Sequence, residues 1–445
     1  MTATTPQLDA SAILAPYMGI FFVAFLVSLV ATPVMRRLAL SNGIVDVPDL
    51  LRKNHREPIA YLGGVAIFVG WLVAVLASHF IDPHTVPVAG PIAVDFPISI
   101  VIGAAAIVIT GMLDDIYGIS PRVKIGGQLF AAAGLALNDI GFRFVENSLR
   151  LLGLGAVPDP IVYILGTVLL GFLVVAGCNA VNLIDGLDGL ASGVCAIATL
   201  GFLAIATLVA IEAANDPFAL PETLDTDPTR IVMAVAVVGA ILGFLPYNFN
   251  PATIFMGDAG SLLLGFFAIT SILLFADTGA EALKLATVSL IVFAVPITDT
   301  SLAIIRRKLR GKPIFSPDNE HLHHLLRRSG FSVKQSVGIL YLAAIAFAVI
   351  GVVLVATDMQ WRYIMAIFAV IYAFILVSVY KVARALAARE DPAAAKIAAR
   401  AAAAQQIPAD DDPTPPGEEE DEPAAPHGRR PEAPARPGDT PAPLS

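Results

Sequence analysis

Long apolar stretches recur along most of the 445-residue chain, and they constrain its fold more than any other feature. An α-helix needs roughly 20 apolar residues to cross about 30 Å of hydrocarbon, and these stretches reach that length. Hydrophobic residues make up 56% of the chain and charged residues only 15%, which excludes an ordinary soluble domain. The strict alternation of a membrane β-barrel is absent. The sequence therefore predicts an all-α integral membrane protein.

We predict about eleven transmembrane helices from these stretches. They cover residues 12–35, 60–80, 97–113, 124–140, 160–180, 189–212, 230–247, 260–276, 283–305, 336–356 and 361–383. Residues 386–445 are mainly Ala, Pro, Asp and Glu, a composition that cannot bury a hydrophobic core. The predicted organisation is thus a polytopic membrane domain, 1–385, followed by a disordered tail, 386–445.

The Lys and Arg residues predict how the chain is oriented in the membrane. One of the two alternating sets of loops, together with the tail, contains 23 of the 28 basic residues, and the other set contains 5. Basic residues accumulate in loops that remain in the cytoplasm. The N-terminus is therefore predicted to lie outside and the C-terminus in the cytoplasm.

Four polar clusters fall in the predicted cytoplasmic loops or at the adjoining helix ends. They contain Asp114 and Asp115; Asn182, Asp185 and Asp188; Asp258; and His321, His323 and His324. A charge at the centre of a bilayer costs about 2.5–3.5 kcal/mol, so such groups need an aqueous cavity or a bound cation. Because all four clusters face the same side, we predict one metal-dependent site for phosphate chemistry at the cytoplasmic membrane surface.

Each acidic motif also has a simpler interpretation. The neighbouring charges of Asp114 and Asp115 suit a cation or a proton transfer, but the pair could equally be solvated or cap the next helix. Asp258 stands between two glycines where a phosphate can approach a helix N-terminus, or it is only an N-cap. Asn182 and Asp185 are three residues apart and share a face if their helix continues, whereas Asp188 could cap the following helix.

Two further segments carry basic residues and histidines. His321 and His324 are one helical turn apart, and neutral imidazoles there could bind a diphosphate. The basic run from Arg306 to Arg310 could simply anchor the chain at the membrane surface.

Asp299 is expected to pair with a neighbouring Arg or His and not to act in the chemistry. Asp46 opens a basic loop that could face a lipid head group or merely anchor the chain.

Four motifs in one order resemble the polyprenyl-phosphate N-acetylhexosamine-1-phosphate transferase family, which includes the phospho-MurNAc-pentapeptide translocase. They are Gly111–Asp115, Asn182–Gly189, Phe255–Ser261 and Asp318–His324. The peptidoglycan branch of that family has three consecutive histidines, whereas Leu322 interrupts them here. The resemblance therefore implies the branch that transfers GlcNAc-1-phosphate from UDP-GlcNAc to undecaprenyl or decaprenyl phosphate, releasing UMP, in cell-envelope polysaccharide synthesis.

The resemblance also implies roles for individual residues. Mg²⁺, or Mn²⁺ in its place, would be held by Asn182 and Asp258. The catalytic acids would be Asp114, Asp115 and Asp185. The substrates would contact Asp46, Asp188, Arg307, His321, His323 and His324. A homodimer in the bacterial inner membrane is implied, with no nucleic-acid partner.

Three other functions remain as alternatives at this point. A phospho-MurNAc-pentapeptide transferase would use the same site with another donor. A UbiA-like prenyltransferase would need two Asp-rich helical motifs, which we do not find. An ion-coupled transporter would place its acids near the membrane midplane in repeated halves, whereas here they lie near one surface and no repeat is visible.

Overall fold

The computed structural model describes residues 9–46, 58–80, 96–215, 221–276, 281–313, 320–357 and 359–390. These residues fold almost entirely into helices, as predicted. The helices are α1 Ala10–Leu14, α2 Met18–Ser41, α3 Gly63–Ser78, α4 Ile98–Tyr117, α5 Pro121–Ala136, α6 Ile140–Leu151, α7 Asp159–Ile184, α8 Leu190–Asn215, α9 Pro221–Asn248, α10 Gly257–Phe275, α11 Ala282–Val292, α12 Ala294–Leu309, α13 Leu322–Arg328, α14 Val333–Val355 and α15 Trp361–Glu390. A short 3₁₀ turn, Ala15–Tyr17, joins α1 to α2.

The number of membrane-spanning helices differs from the predicted eleven. Within the described ranges, eight helices are long and apolar enough to span, or nine if the bent pair α11 and α12 forms one span. Helices α3 and α5 have 16 residues each. At 1.5 Å per residue they reach only about 24 Å, less than the hydrocarbon thickness. The all-α membrane class is confirmed, and the count of eleven is not.

The break between α11 and α12 has a local cause. The two helices meet at an angle of 76° around Phe293. Pro296, in the first turn of α12, has no N–H group to continue the hydrogen bonding of α11 across the break. The bend directs α12 towards the segment that carries the histidines.

Helix α10 is the most deeply buried of the spans, and glycines let its neighbours approach closely. A Cβ atom on Gly64 of α3 would lie 2.6 Å from the carbonyl carbon of Ala259. One on Gly111 of α4 would lie 2.6 Å from the carbonyl carbon of Asp258. Since real Cβ atoms do not come so close, only glycine allows α3 and α4 to pack directly on the first turn of α10.

A small antiparallel ladder closes the same end of the helices. Strand β1, Val45–Asp46, pairs with β2, Ile59–Ala60, and Ala60 forms a further bridge with Ile254. The backbone N–H of Phe255 donates to the carbonyl of Ala60 over 2.8 Å. The ladder thereby holds Asp46 beside the chain that leads into α10.

Some predictions fall outside the described residues. They concern the basic positions Arg52, Lys53, His55 and Arg56, and Asp318 of the last motif. Helix α15 continues to Glu390, beyond the predicted domain boundary at residue 385. The disordered tail stays a prediction, since residues 391–445 are not described.

Candidate active site

A cavity of about 1140 Å³ opens among the helix ends. Its walls include the C-terminal parts of α2, α4, α7 and α9 and the first residues of α10 and α14. The polar residues that line it are Arg36, Asp46, Tyr61, Asp115, Asn182, Asp185, Asp188, Asn248, Asn250, Thr253, Asp258, His324 and Arg327. The cavity therefore collects residues from distant parts of the chain at one end of the helices.

Four of the predicted residues meet around the first turn of α10, and we call them the acid cluster: Asp114, Asp115, Asn182 and Asp258. Asn182 Nδ2 donates to Asp258 Oδ1 over 2.7 Å and to Ser261 Oγ over 3.0 Å. Lys124 Nζ donates to Asp258 Oδ2 and lies 3.2 Å from Asp114 Oδ2. A single ammonium group thus bridges carboxylates from α4 and α10.

Asp115 has a structural partner in α10. Its Oδ1 accepts from the N–H of Asp258 over 2.7 Å, and its Oδ2 accepts from the N–H of Ala259 over 3.1 Å. These N–H groups lie in the first turn of α10, where no intrahelical acceptor exists. Asp115 therefore caps α10 from another helix, so Asp258 is not needed as the N-cap and its carboxylate faces the cavity. Gly257, with φ +69°, makes the turn beside it.

The acids after α7 lie on a loop, Asp185–Asp188, which we call the acid loop. Helix α7 ends at Ile184, so Asn182 and Asp185 do not share a helical face. Asp188 Oδ2 accepts from Asn250 Nδ2 over 2.8 Å and from the N–H of Ala252 over 3.0 Å. Asp188 thus joins the acid loop to the segment between α9 and α10, while still lining the cavity.

Carboxyl groups are crowded together in this region, and their proximity affects how readily each one ionises. Burial, reinforced by the carboxylates of Asp258, Asp115 and Asp188, raises the pKa of Asp185 to about 8. Burial and the carboxylate of Asp46, to which the Tyr61 hydroxyl donates, also raise the pKa of Tyr61. Both raised pKa values mean that these groups lose their protons less readily than usual, because the ionised forms are destabilised. A bound cation would stabilise the ionised forms.

The histidines lie on the segment Glu320–His324, the histidine segment, at the start of α13. His321 Nδ1 is 2.7 Å from Asp299 Oδ2, so the predicted pairing of Asp299 with a histidine is confirmed. The rings of His323 and His324 are 4.2 Å apart, and His324 lines the cavity. Burial and the neighbouring His324 lower the pKa of His323 to about 3, which keeps that imidazole neutral.

The structure does not bring every predicted residue to the cavity wall. Arg307 lies near the C-terminal end of α12 and is absent from the lining, as are His321 and His323. Asp114 reaches the cavity only through Lys124 and Asp258. The helical face that Asn182 and Asp185 would share on a continuing helix does not form, because α7 ends at Ile184.

The donor atoms suit a hard cation held jointly with a substrate. Within the described residues, no three His, Cys, Asp or Glu side chains are arranged to enclose a metal ion. Mg²⁺ does not require such a cage, since one or two carboxylates, waters and substrate phosphates commonly hold it. Asp258 and the amide oxygen of Asn182 offer hard ligands beside the crowded carboxyl groups around Asp185. The residues present therefore fit Mg²⁺.

Sequence reasoning overlooked three residues of this site. Lys124 follows Asp114 by 10 residues, but only packing shows that α5 returns its ammonium group to both Asp114 and Asp258. Tyr61 carried no signal other than its place before two glycines. Arg36, whose Nε donates to the carbonyl of Thr253 over 3.0 Å, resembled an ordinary positive-inside anchor.

These features define a multi-pass membrane protein in which acids, amides and one histidine, His324, line a single polar cavity at the helix ends. Comparison with known proteins gives the family. The family model described as glycosyl transferase family 4 matches residues 97–276. The chain belongs to this family, because a relative of 34% identity is also matched over 88% of its own length.

The relatives have closely related names. A "Probable undecaprenyl-phosphate N-acetylglucosaminyl 1-phosphate transferase" of Bacillus subtilis is 34% identical over 79% of this chain and 88% of its own length. A "Decaprenyl-phosphate N-acetylglucosaminephosphotransferase" of Mycolicibacterium smegmatis is 32% identical over 72% of this chain and 77% of its own. An "Undecaprenyl-phosphate alpha-N-acetylglucosaminyl 1-phosphate transferase" of Escherichia coli K12 is 29% identical over 78% of this chain and 88% of its own.

Proposed function

We propose that the protein transfers GlcNAc-1-phosphate from UDP-GlcNAc to a polyprenyl phosphate and releases UMP. An oxygen of the lipid phosphate forms a bond to the phosphorus that carries the sugar. The bond from that phosphorus to the oxygen bridging the two phosphates breaks, and UMP leaves with that oxygen. The products are polyprenyl-diphospho-GlcNAc and UMP.

One observation carries the proposal beyond the names of the relatives. Asp114, Asn182 and Asp258 come from three helices yet are joined by direct contacts among themselves and with Lys124. Phosphoryl transfer depends mainly on alignment and on charge neutralisation, which such a cluster provides. Its position at helix ends is also what a reaction between a membrane lipid and a soluble nucleotide requires, and it does not favour a transport path at the midplane.

We assign the residues the following parts. Asp114 accepts the proton of the lipid phosphate, and Lys124 balances the charge of Asp114 and Asp258. Asp115 holds the first turn of α10 in place through its two backbone hydrogen bonds. Asp185 and Asp188 keep the nucleotide side of the cavity polar. His324 and Arg327 offer donors to the diphosphate, while Asp46 and Arg36 lie towards the lipid phosphate.

Mg²⁺ belongs to this proposal, with Asp258 and Asn182 as its protein ligands. When bound, it would withdraw negative charge from the phosphate oxygens and help to align the two substrates. Mn²⁺ offers similar coordination to oxygen ligands. The remaining work of orientation and proton transfer falls to the residues named above.

The proposed membrane setting is the inner membrane of a bacterium, with the active site facing the cytoplasm. The excess of Lys and Arg in one set of loops supports a cytoplasmic site in the inner membrane of a bacterium. UDP-sugars are soluble nucleotides, which agrees with that orientation. A homodimer is expected from the family resemblance and stays a prediction.

The direct test is release of UMP from UDP-GlcNAc by the purified full-length protein in detergent with polyprenyl phosphate. We expect release that requires the lipid phosphate and stops when EDTA removes divalent ions, with recovery on adding Mg²⁺. UDP-GalNAc and UDP-MurNAc-pentapeptide, tested with the same acceptor, should be poorer donors. A folded protein that releases no UMP under any of these conditions would overturn the proposal.

A further inference from the structure

Asp299 is a completely buried carboxylate on α12, and the reaction outlined above assigns it no part. Both of its oxygens have partners in the histidine segment. Oδ2 lies 2.7 Å from His321 Nδ1, and Oδ1 accepts from the backbone N–H of Leu322 over 2.6 Å. A buried carboxylate is costly unless it is fully hydrogen-bonded, and here all of this bonding goes to one short segment.

The contact with His321 determines the orientation of that imidazole. A carboxylate can only accept hydrogen bonds, so Nδ1 of His321 must be the donor. The ring of His321 is then fixed in rotation by this hydrogen bond. The second contact, to Leu322, holds the backbone at the first residue of α13. Asp299 therefore determines both the side-chain direction and the backbone position at the start of the histidine segment.

Ring contacts extend this effect towards the cavity. The rings of His321 and His323 are nearly parallel, 5.9 Å apart with an interplanar angle of 6°. His323 packs so closely against the acid loop that a Cβ on Gly186 would lie 2.6 Å from its Cε1 atom. His324, whose ring centroid is 4.2 Å from that of His323, lines the cavity.

We infer that Asp299 is a positioning residue for the nucleotide-sugar side of the active site, acting through His321 and the first turn of α13. The inference rests on the proposed function, because it assigns the histidine segment to the UDP-sugar and not to the lipid. Under this inference α12 has two roles. It packs in the helix bundle, and through Asp299 it fixes the position of the histidine segment.

The first test compares Asp299→Asn with Thr300→Val in steady-state assays of UMP release. Thr300 is the next residue of α12, and its hydroxyl has no hydrogen-bond partner among the described residues, so valine is a matched control. Loss of the carboxylate that orients a metal-ligating histidine commonly costs about 10–100-fold, and we take the lower end of that range as the scale for His321. We expect Asp299→Asn to raise the KM for UDP-GlcNAc by about tenfold, with an unchanged KM for polyprenyl phosphate.

A purely structural role gives a different result. Partial misfolding lowers the amount of active enzyme, so kcat falls while both KM values remain as in the wild type. That outcome, or a KM rise for the lipid alone, would overturn the inference. Thr300→Val should match the wild type in every parameter.

A double-mutant cycle tests whether Asp299 acts through His321. In a His321→Ala background the substitution Asp299→Asn should raise the KM for UDP-GlcNAc less than twofold, because the imidazole it orients is gone. Fully multiplicative effects of the two substitutions would contradict the inference. If the wild-type protein releases no UMP, the proposed function is wrong as well. If the wild type is active and Asp299→Asn leaves the KM for UDP-GlcNAc unchanged, only the inference about Asp299 is wrong.

Discussion

The acid cluster and the histidine segment face one cavity but are held there by different forces. The acids stand on α4, α7 and α10, where glycines allow backbones to touch, as at Gly111 against Ala259. The histidine segment is held by polar contacts to α12: Asp299 binds His321 and Leu322, and Arg310 binds Glu320 over 2.8 Å. One wall is built by helix packing, the other by hydrogen bonds and ion pairs.

This contrast predicts different consequences of mutation on the two sides. Packed backbones cannot adjust to an added atom without separating the helices, so errors there affect folding as a whole. A lost hydrogen bond in the histidine segment leaves the bundle intact and changes how substrate is held.

Asp258→Asn should have the largest effect on activity. The substitution preserves shape but removes the negative charge to which Lys124 and a divalent cation are attracted. By analogy with other electrostatic groups in active sites, we expect the rate to fall about 10²–10³-fold or more. UMP release measures this, with a thermal melt to show that the protein is folded. Asp159→Asn, an exposed acid in the first turn of α7, is the control and should be fully active.

Gly64→Ala tests the close packing of α3 on the first turn of α10. The added methyl group would meet the backbone of Ala259, at the first turn of α10, and we expect a loss of about 1–3 kcal/mol or of the folded protein altogether. Gly126→Ala on α5 is the matched control, because nothing lies within 4 Å of its Cβ position. The yield of monodisperse protein and its melting temperature report the difference. Equal behaviour of the two variants would refute the packing argument.

The titration of Asp185 should make the stability of the protein depend on pH. Its pKa is about 8 in the folded protein, against 3.8 for an ordinary Asp side chain, so between these values the folded state binds more protons than the unfolded state. Its contribution to stability is present at low pH and is lost as the pH rises through 8. In EDTA, we expect the melting temperature to fall by about 2 °C or more between pH 6 and pH 9.

The Asp185→Asn variant sharpens that prediction. An amide does not titrate, so the fall in melting temperature over this pH range should become smaller in the variant. Mg²⁺ added to the wild type should also reduce it, since a divalent cation favours the ionised carboxylates. An identical pH dependence in wild type and variant would show that the slope arises elsewhere.

Arg310→Gln should have the smallest effect. The Arg310 side chain is 48% exposed, and Glu320 also lies 3.7 Å from the buried Arg306. Exposed ion pairs contribute about 0–1 kcal/mol, so we expect the KM for UDP-GlcNAc to change less than about fivefold. Steady-state assays at low salt measure this. An effect as large as that of Asp299→Asn would show that Glu320, and not Asp299, is the main anchor of the histidine segment.

The sequence predicted the fold class well, whereas its count of eleven spans is not confirmed, for related reasons. Hydropathy identifies a helix such as Asp159–Ile184, whose length and composition match a bilayer. It cannot show that α3 and α5 have only 16 residues each, or that the chain bends at Phe293. Hydropathy is a property of single residues, whereas a helix end depends on backbone geometry.

For the site, too, the sequence identified some residues and missed others. The clustered acids and histidines stood out because charged groups are rare beside membrane helices. Lys124, Tyr61 and Asp299 were not recognised as parts of the site, since one Lys on an apolar helix or one Asp before a basic run has many ordinary explanations. Their importance appears only where they meet Asp258, Asp46 and His321.

The sequence alone determined that this chain is a helical membrane protein with acids and histidines near one membrane surface, because the cost of burying charge in hydrocarbon leaves little other choice. The tertiary structure alone decided which atoms meet: Asp115 on the backbone of α10, Asn182 on Asp258, and Asp299 on His321. Those contacts join residues 22 to 143 positions apart, and such distances in sequence carry no local signal.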